Sequence, residues 1–277
     1  MKYIIDFKDE TYSVEQFQTY SVDIQVDVGS LIFAVFDTER QKFVHLRQIV
    51  LPKNTQLSKN DIENFIDDNT VITKVEKQKT LWYSSKSVII PNAFYLQDKE
   101  FDLLNFNTEI SQEYIVKSNK LKTNDYNIFA INKHLFSAFE NKLPDAKIYN
   151  QGTVLIHNAL FSGNNDKQKL QIDATNEFVD IVLAKRNKLL YRNTFRYKSA
   201  SDFVFFVLNI FDKLKLNIDK TDVFISGSID ALSPETVLLK NYIKKIKYKF
   251  PDFNYSYTFN DIKISKFTQL LNLENCE

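Results

Sequence analysis

Glycine is scarce: the 277 residues hold four, at Gly29, Gly152, Gly163 and Gly227. Loops that wrap phosphates in backbone amides need glycine for close approach, so this chain has room for few of them. Cysteine is scarcer. The single Cys276 excludes an intrachain disulfide and fits a reducing, cytoplasmic setting. No segment reaches the roughly 18 apolar residues of a membrane span, and the apolar run in MKYIIDFKDE is too short for a signal peptide. A soluble chain without membrane insertion is expected. An excess of one charge is missing too: 36 Lys and Arg stand against 35 Asp and Glu. That balance excludes a global basic field for nucleic acid but leaves room for a local patch. His45, His134 and His157 lie far apart without metal-ligand spacing, and no Gly-x-Ser-x-Gly supports nucleophilic hydrolysis.

What is present is a repeated pattern in a chain that is 44% apolar, enough for sizeable cores. The stretch VDIQVDVGSLIFAVFDTERQKFVHLRQIVL, from Val22, parallels KLQIDATNEFVDIVLAKRNKLLYRNTFRY, from Lys169. Each starts with an alternating strand that ends at an aspartate, Asp27 or Asp173. A small turn follows, then a second strand, a charged turn (Thr38 to Lys42; Lys185 to Lys188) and a third strand. Period-two alternation puts Ile32, Ala34 and Phe36 on one face, and Val179, Ile181 and Leu183 on the equivalent one. Ser58 is the expected N-cap of a helix carrying Ile62, Phe65 and Ile66, and Ser201 with Asp202 that of the apolar FVFFVLNIFDKL, expected to be largely buried. Each half then returns to a strand, SVIIP at 87–91 and DVFISG at 222–227. Further helices are expected over Lys133 to Asn141, Thr153 to Phe161 and Pro234 to Lys247.

Strand-strand-strand-helix-strand-helix, repeated in tandem, is the pattern of a ribonuclease H-like unit, and two copies make the actin-like ATPase architecture. The expected fold is therefore α/β, with two lobes, 1–165 and 166–277, meeting near the loop-like SGNNDKQK. Specific stretches carry a resemblance: SVIIPNAFY (87–95), DKEFDLLNFN (98–107), KLLYRNTFRYKSASDFVFFVLNIF (188–211) and DVFISGSI (222–229). Through them the chain resembles a Bacteroidetes family carried as a domain of unknown function with a duplicated actin-like fold. It is more distantly similar to PilM, GspL and FtsA.

That resemblance implies where a nucleotide would sit. The first phosphate motif resembles Asp-x-Gly-Ser, often with a lysine four residues after the serine; Asp27, Gly29 and Ser30 match, and Ala34 stands at the lysine position. The second would be Asp-x-Gly, but the chain reads Asp173-Ala174-Thr175. Of the glycine pair that approaches adenosine, Gly227 is followed by Ser228. Asp, Gly and Ser are also ordinary hairpin residues. The favoured expectation is a non-catalytic scaffold or adaptor with no cofactor and an unidentified protein partner. The rival is an ATP-binding or weak ATPase module that takes Mg-ATP through Asp27, Gly29, Ser30, Asp173 and Gly227, the missing cation coming from Lys185, Arg186 or Lys188 only if the fold departs from the family pattern.

Two other constellations carry chemistry. A two-metal nuclease would need acids beside Asp27 or Asp173; Asp202 and Asp222 are available, though Asp202 suits a helix cap better. Lys240, Lys244, Lys245, Lys247 and Lys249 interleave with Tyr242, Tyr248 and Phe250, which suits RNA through phosphates and stacking. The plainer reading, an amphipathic helix burying Leu239, Ile243 and Ile246 with its lysines in water, is favoured. Trp82 and Tyr83 read equally as an exposed anchor or as the start of a strand.

Overall fold

A computed structural model describes residues 3–52, 55–161 and 166–276. The chain begins with strands β1 (Tyr3–Lys8), β2 (Tyr20–Asp27), β3 (Ser30–Asp37) and β4 (Lys42–Val50). Helix α1 (Lys59–Asp67) and the single turn α2 (Val71–Lys74) lead to β5 (Lys77–Trp82). An insertion of β6 (Ser87–Ile90), α3 (Glu100–Asn107), β7 (Tyr114–Lys120) and β8 (Tyr126–Asn132) follows, then α4 (Lys133–Lys142), β9 (Lys147–Asn150) and α5 (Gln151–Phe161). The second half runs β10 (Gln168–Ala174), β11 (Phe178–Lys185), β12 (Lys188–Arg196), α6 (Ala200–Lys213), β13 (Thr221–Gly227), α7 (Pro234–Leu239) and β14 (Ile246–Tyr248). It ends with β15 (Asn254–Tyr255) and α8 (Thr268–Leu271).

The two large sheets repeat one order, β4-β3-β2-β5-β9 and β12-β11-β10-β13-β14. In each, an antiparallel three-strand meander is extended by two parallel strands. The inner alternation of β2 and β3 packs Val22, Ile24, Leu31 and Phe33 against Ile62, Phe65 and Ile66 of α1. Each such side chain, fully buried, contributes roughly 2 kcal/mol. Ser58 caps α1 in a capping box with Asp61, as the sequence suggests. In the second half Val179, Ile181 and Leu183 share a core with Phe203 and Val207 of α6. Phe205 of that helix is nevertheless 62% exposed.

Four expectations need correction. SVIIP is not the fourth strand of the first sheet: β6 pairs with β8 in a separate three-stranded sheet, and KQKTLW forms β5 instead. That strand hid because Lys79 is buried in it, paired with Glu274 at 2.7 Å. The cap of α6 is Ser199, whose side chain accepts from the Asp202 N–H, while the Asp202 carboxylate reaches back to the Lys198 N–H. The helix expected from Pro234 to Lys247 stops at Leu239, and Ile246 already lies in β14. Trp82 is buried at the end of β5, donating to Thr80 at 3.0 Å.

Beyond Tyr248 the chain returns to the first half. β15 adds to β4, and Phe259, Ile264, Phe267, Leu270, Leu271 and Leu273 cover Ile32, Ala34, Phe36 and Phe43. Helix α5, buried along nearly its whole length, follows β9 directly and packs against β10, β11 and β12. Part of the expected junction, residues 162–165 with Gly163, lies outside the described residues.

Candidate functional site

The two equivalent hairpins end where the lobes face one another, and in each turn backbone N–H groups bond to side chains of the same hairpin. In the first, Asp27 pairs with Ser30 across the turn, and its carboxylate accepts from the Val28 N–H at 2.7 Å. Burial pushes the Asp27 pKa up, and Lys266 from the returning segment opposes that rise. A Cβ on Gly29 would meet only the Thr55 carbonyl at 3.9 Å, so the turn does not demand glycine. In the second hairpin Thr175 stands where a glycine would be expected. Its hydroxyl accepts from the N–H of Glu177 (3.3 Å) and of Phe178 (3.0 Å), and its own N–H donates to the Phe178 carbonyl at 2.8 Å.

Asp173 is buried at the end of β10 with three donors on its carboxylate. Ser226 donates to Oδ1 at 2.7 Å, Gln269 to Oδ1 at 3.3 Å, and Tyr83 to Oδ2 at 3.1 Å. Burial raises its pKa to about 6 against the pull of those bonds. Burial likewise drives the Tyr83 hydroxyl well above its ordinary pKa, reinforced by the Asp173 and Asp27 carboxylates. Tyr83 thus projects from the first lobe into the space these two acids share.

Gly227 has a structural reason of its own. Its φ of +93° and a Cβ position 2.2 Å from the Ala174 carbonyl oxygen leave no room for another residue. The adjacent Ser228 N–H donates to that same oxygen at 2.6 Å.

Around the acids the lobes are tied together. Gln151 holds the Ser84 backbone by both ends of its amide (3.0 and 2.9 Å) and donates to Asp180 at 3.4 Å. Arg192 forms a buried pair with Asp180 at 2.9 Å and donates to Ser87 in the inserted sheet at 2.5 Å. Beside this seam opens a cleft of about 470 Å³, walled by Leu57, Tyr83, Leu135 and Phe178, with Lys59 and Lys86 among its lining residues. Of this group the sequence flags Tyr83 only as part of an aromatic pair. Gln151, Arg192 and Gln269 carry no motif, and only their side-chain geometry brings them together.

The other candidates are scattered. Lys185 and Lys188 flank the β11–β12 turn, a strand of eight residues, about 25 Å, from the β10–β11 turn. Arg186 there lies 3.9 Å from Asp166. They are too far to serve a phosphate at Asp173. Asp222 pairs with Lys247 at 3.0 Å. His45 lies in β4, His134 in α4 and His157 in α5. Lys240 caps α7, Lys244 and Lys245 are exposed beyond it, and Lys249 pairs with Asp252. Spread over a cap, a turn and a strand, the five lysines share no helical face.

The family model described as "Protein of unknown function (DUF3822)" matches residues 9–246. Among curated proteins none matches the sequence. A Bacteroides thetaiotaomicron protein with actin-like ATPase fold and unknown function superposes with a TM-score of 0.83, at 18% identity, over 96% of this chain and 100% of that one. The PilM-PilN type IV pilus biogenesis complex gives a TM-score of 0.55 at 11% identity, over 93% and 98% of the two chains. The cytoplasmic domain of EpsL, an inner membrane component of the Vibrio cholerae type II secretion system, gives 0.49 at 11%, over 92% and 94%. The fold is the two-lobed actin-like ATPase fold.

Proposed function

We propose, from the premise that this chain belongs to the DUF3822 family and has an actin-like fold, that it is a non-catalytic adaptor that binds another protein. One observation carries the reading: Asp173 already takes bonds from Tyr83, Ser226 and Gln269. A magnesium ion with its phosphates needs free carboxylate oxygens, backbone donors and a cation. Here the Val28, Glu177 and Phe178 N–H groups bond within their own hairpins, and Ala34 stands at the lysine position. The residues present do not fit Mg-ATP. Support for a protein partner comes from the similar fold of PilM, which is found in a complex with PilN. No helix among the described residues is long and apolar enough to cross a membrane; we place the protein in the cytoplasm on its lone, half-buried thiol.

Thermal unfolding with and without millimolar Mg-ATP or Mg-ADP tests this. No shift is expected. A ligand at about 100 times its Kd adds roughly 2.7 kcal/mol, so a reproducible rise of about 5 °C, lost in Asp27→Ala or Asp173→Ala, would replace this reading with the nucleotide-binding one.

A further inference from the structure

The cleft of about 470 Å³ beside the seam has the size of a small-molecule site. Three parts of the chain supply its lining: Val26 to Val28 of the first hairpin, Tyr114 and Ile131 of the inserted sheet, and Thr175 and Phe178 of the second hairpin. Most of that surface is apolar. Val28, at the tip of the hairpin that carries the Asp-x-Gly-Ser sequence, is 50% exposed, and it lines the cleft together with Leu57, Leu135 and Phe178. The charged part of the lining leans one way. Among the described lining residues Lys59 and Lys86 stand against a single acid, Asp27, which already accepts from the Val28 N–H. Lys59 lies 3.5 Å from Glu63, one turn along α1. Lys86 has no carboxylate partner among the described residues. Its ammonium donates to the Glu109 carbonyl at 2.6 Å and sits 5.5 Å from the ring centre of Tyr114, itself a wall of the cleft. Helix α4 opens onto the same space through Asn132, His134 and Leu135, and no acid stands in its first turn, so its positive end adds to the field of Lys86.

We propose that this cleft binds a small organic monocarboxylate. Its aromatic or acyl body lies against Leu57, Leu135 and Phe178, and its carboxylate takes a charge-assisted bond from Lys86. The described lining holds no arginine to fork onto a phosphate, so a singly charged head fits. Because the lining comes from both lobes, the bound acid bridges them. The proposal goes beyond the adaptor reading and does not depend on it.

Trp82, the sole tryptophan of the sequence, is buried in the lining, so its emission reports on the cleft. The full chain is titrated with phenylbutyrate, phenylbutyramide and phenylbutylamine, one body with a negative, a neutral and a positive head, and calorimetry measures the binding independently. A saturable change in Trp82 emission with the carboxylate is expected, the amide and amine binding about tenfold more weakly. Lys86→Gln and, separately, Leu135→Ala should each raise the Kd for phenylbutyrate about tenfold. Lys185→Gln, at the remote β11–β12 turn, should leave it unchanged, and melting temperatures of all three variants are the folding control. No saturable binding, equal binding of the amide or amine, heat without an emission change, or indifference to both cleft variants overturns the proposal. Displacement of phenylbutyrate by Mg-ADP overturns it in favour of a nucleotide site. A chain that binds phenylbutyrate as described but captures no protein defeats only the adaptor reading, so the two failures are distinguishable.

Discussion

The hydroxyl of Tyr83 donates to Oδ2 of Asp173 across 3.1 Å, joining the end of the fourth strand of one lobe to the first strand of the other. Asp173, at the position equivalent to Asp27 in the repeat, is thus part of the seam between the lobes.

The seam has a pH signature. The free carboxyl titrates near 3.8 and the buried Asp173 near 6, so between those values only the folded chain holds this proton. The contribution of Asp173 is greatest below the lower value and is lost as pH rises through the upper one, a loss on the order of 3 kcal/mol. Asp173→Asn should flatten that part of the stability profile and raise the midpoint at about pH 7.5. Urea unfolding of both proteins across the acid range is the measurement; an unchanged slope would remove Asp173 from the account.

Two glycines that look alike in the sequence should behave differently. Gly227→Ala puts a methyl group 2.2 Å from the Ala174 carbonyl oxygen at a φ of +93°, and a loss of more than about 3 kcal/mol is expected. Gly29→Ala meets only Thr55 at 3.9 Å and should cost less than about 1 kcal/mol. Comparable losses in denaturant unfolding would contradict the assigned turn geometry.

Buried Lys79 pairs with Glu274, which also accepts from Ser21 at 2.8 Å. Glu274→Ala removes the acceptor that Lys79 and Ser21 share in the core and should destabilise by about 1–3 kcal/mol. Asp212→Ala, from the exposed pair with Lys215, should change stability by less than about 0.5 kcal/mol. Chemical denaturation of the two variants side by side gives the ranking.

Capping separates Ser199 from Ser201. Ser199→Ala removes the side chain that accepts from the Asp202 N–H at 3.1 Å and should cost about 1 kcal/mol. Ser201→Ala should be near neutral, and the reverse order in thermal melts would restore the cap to Ser201.

The paired hairpins were legible because alternation needs only local sequence, and their cores bear it out in Val22 to Phe36 and in Val179 to Leu183. Legibility failed where a distant partner decides. Lys79 makes β5 look polar until Glu274, 195 positions away, is seen beside it. Likewise, Ile243 and Ile246 fit a helical spacing, but pairing of β14 with β13 draws the chain out of the helix. The site follows the same rule. Asp27 and Asp173 were found by their place in the repeat, whereas Tyr83 and Gln269 became visible only where the lobes meet.

The return of the chain to its first sheet fixes the order of events during synthesis. Ile32, Ala34, Phe36 and Phe43 are made well before their cover, which runs from Phe259 to Leu273. At about 5–20 residues per second, that apolar face stays bare for roughly 10–40 s while the intervening chain is made. Until the cover emerges, that face is open to wrong apolar contacts.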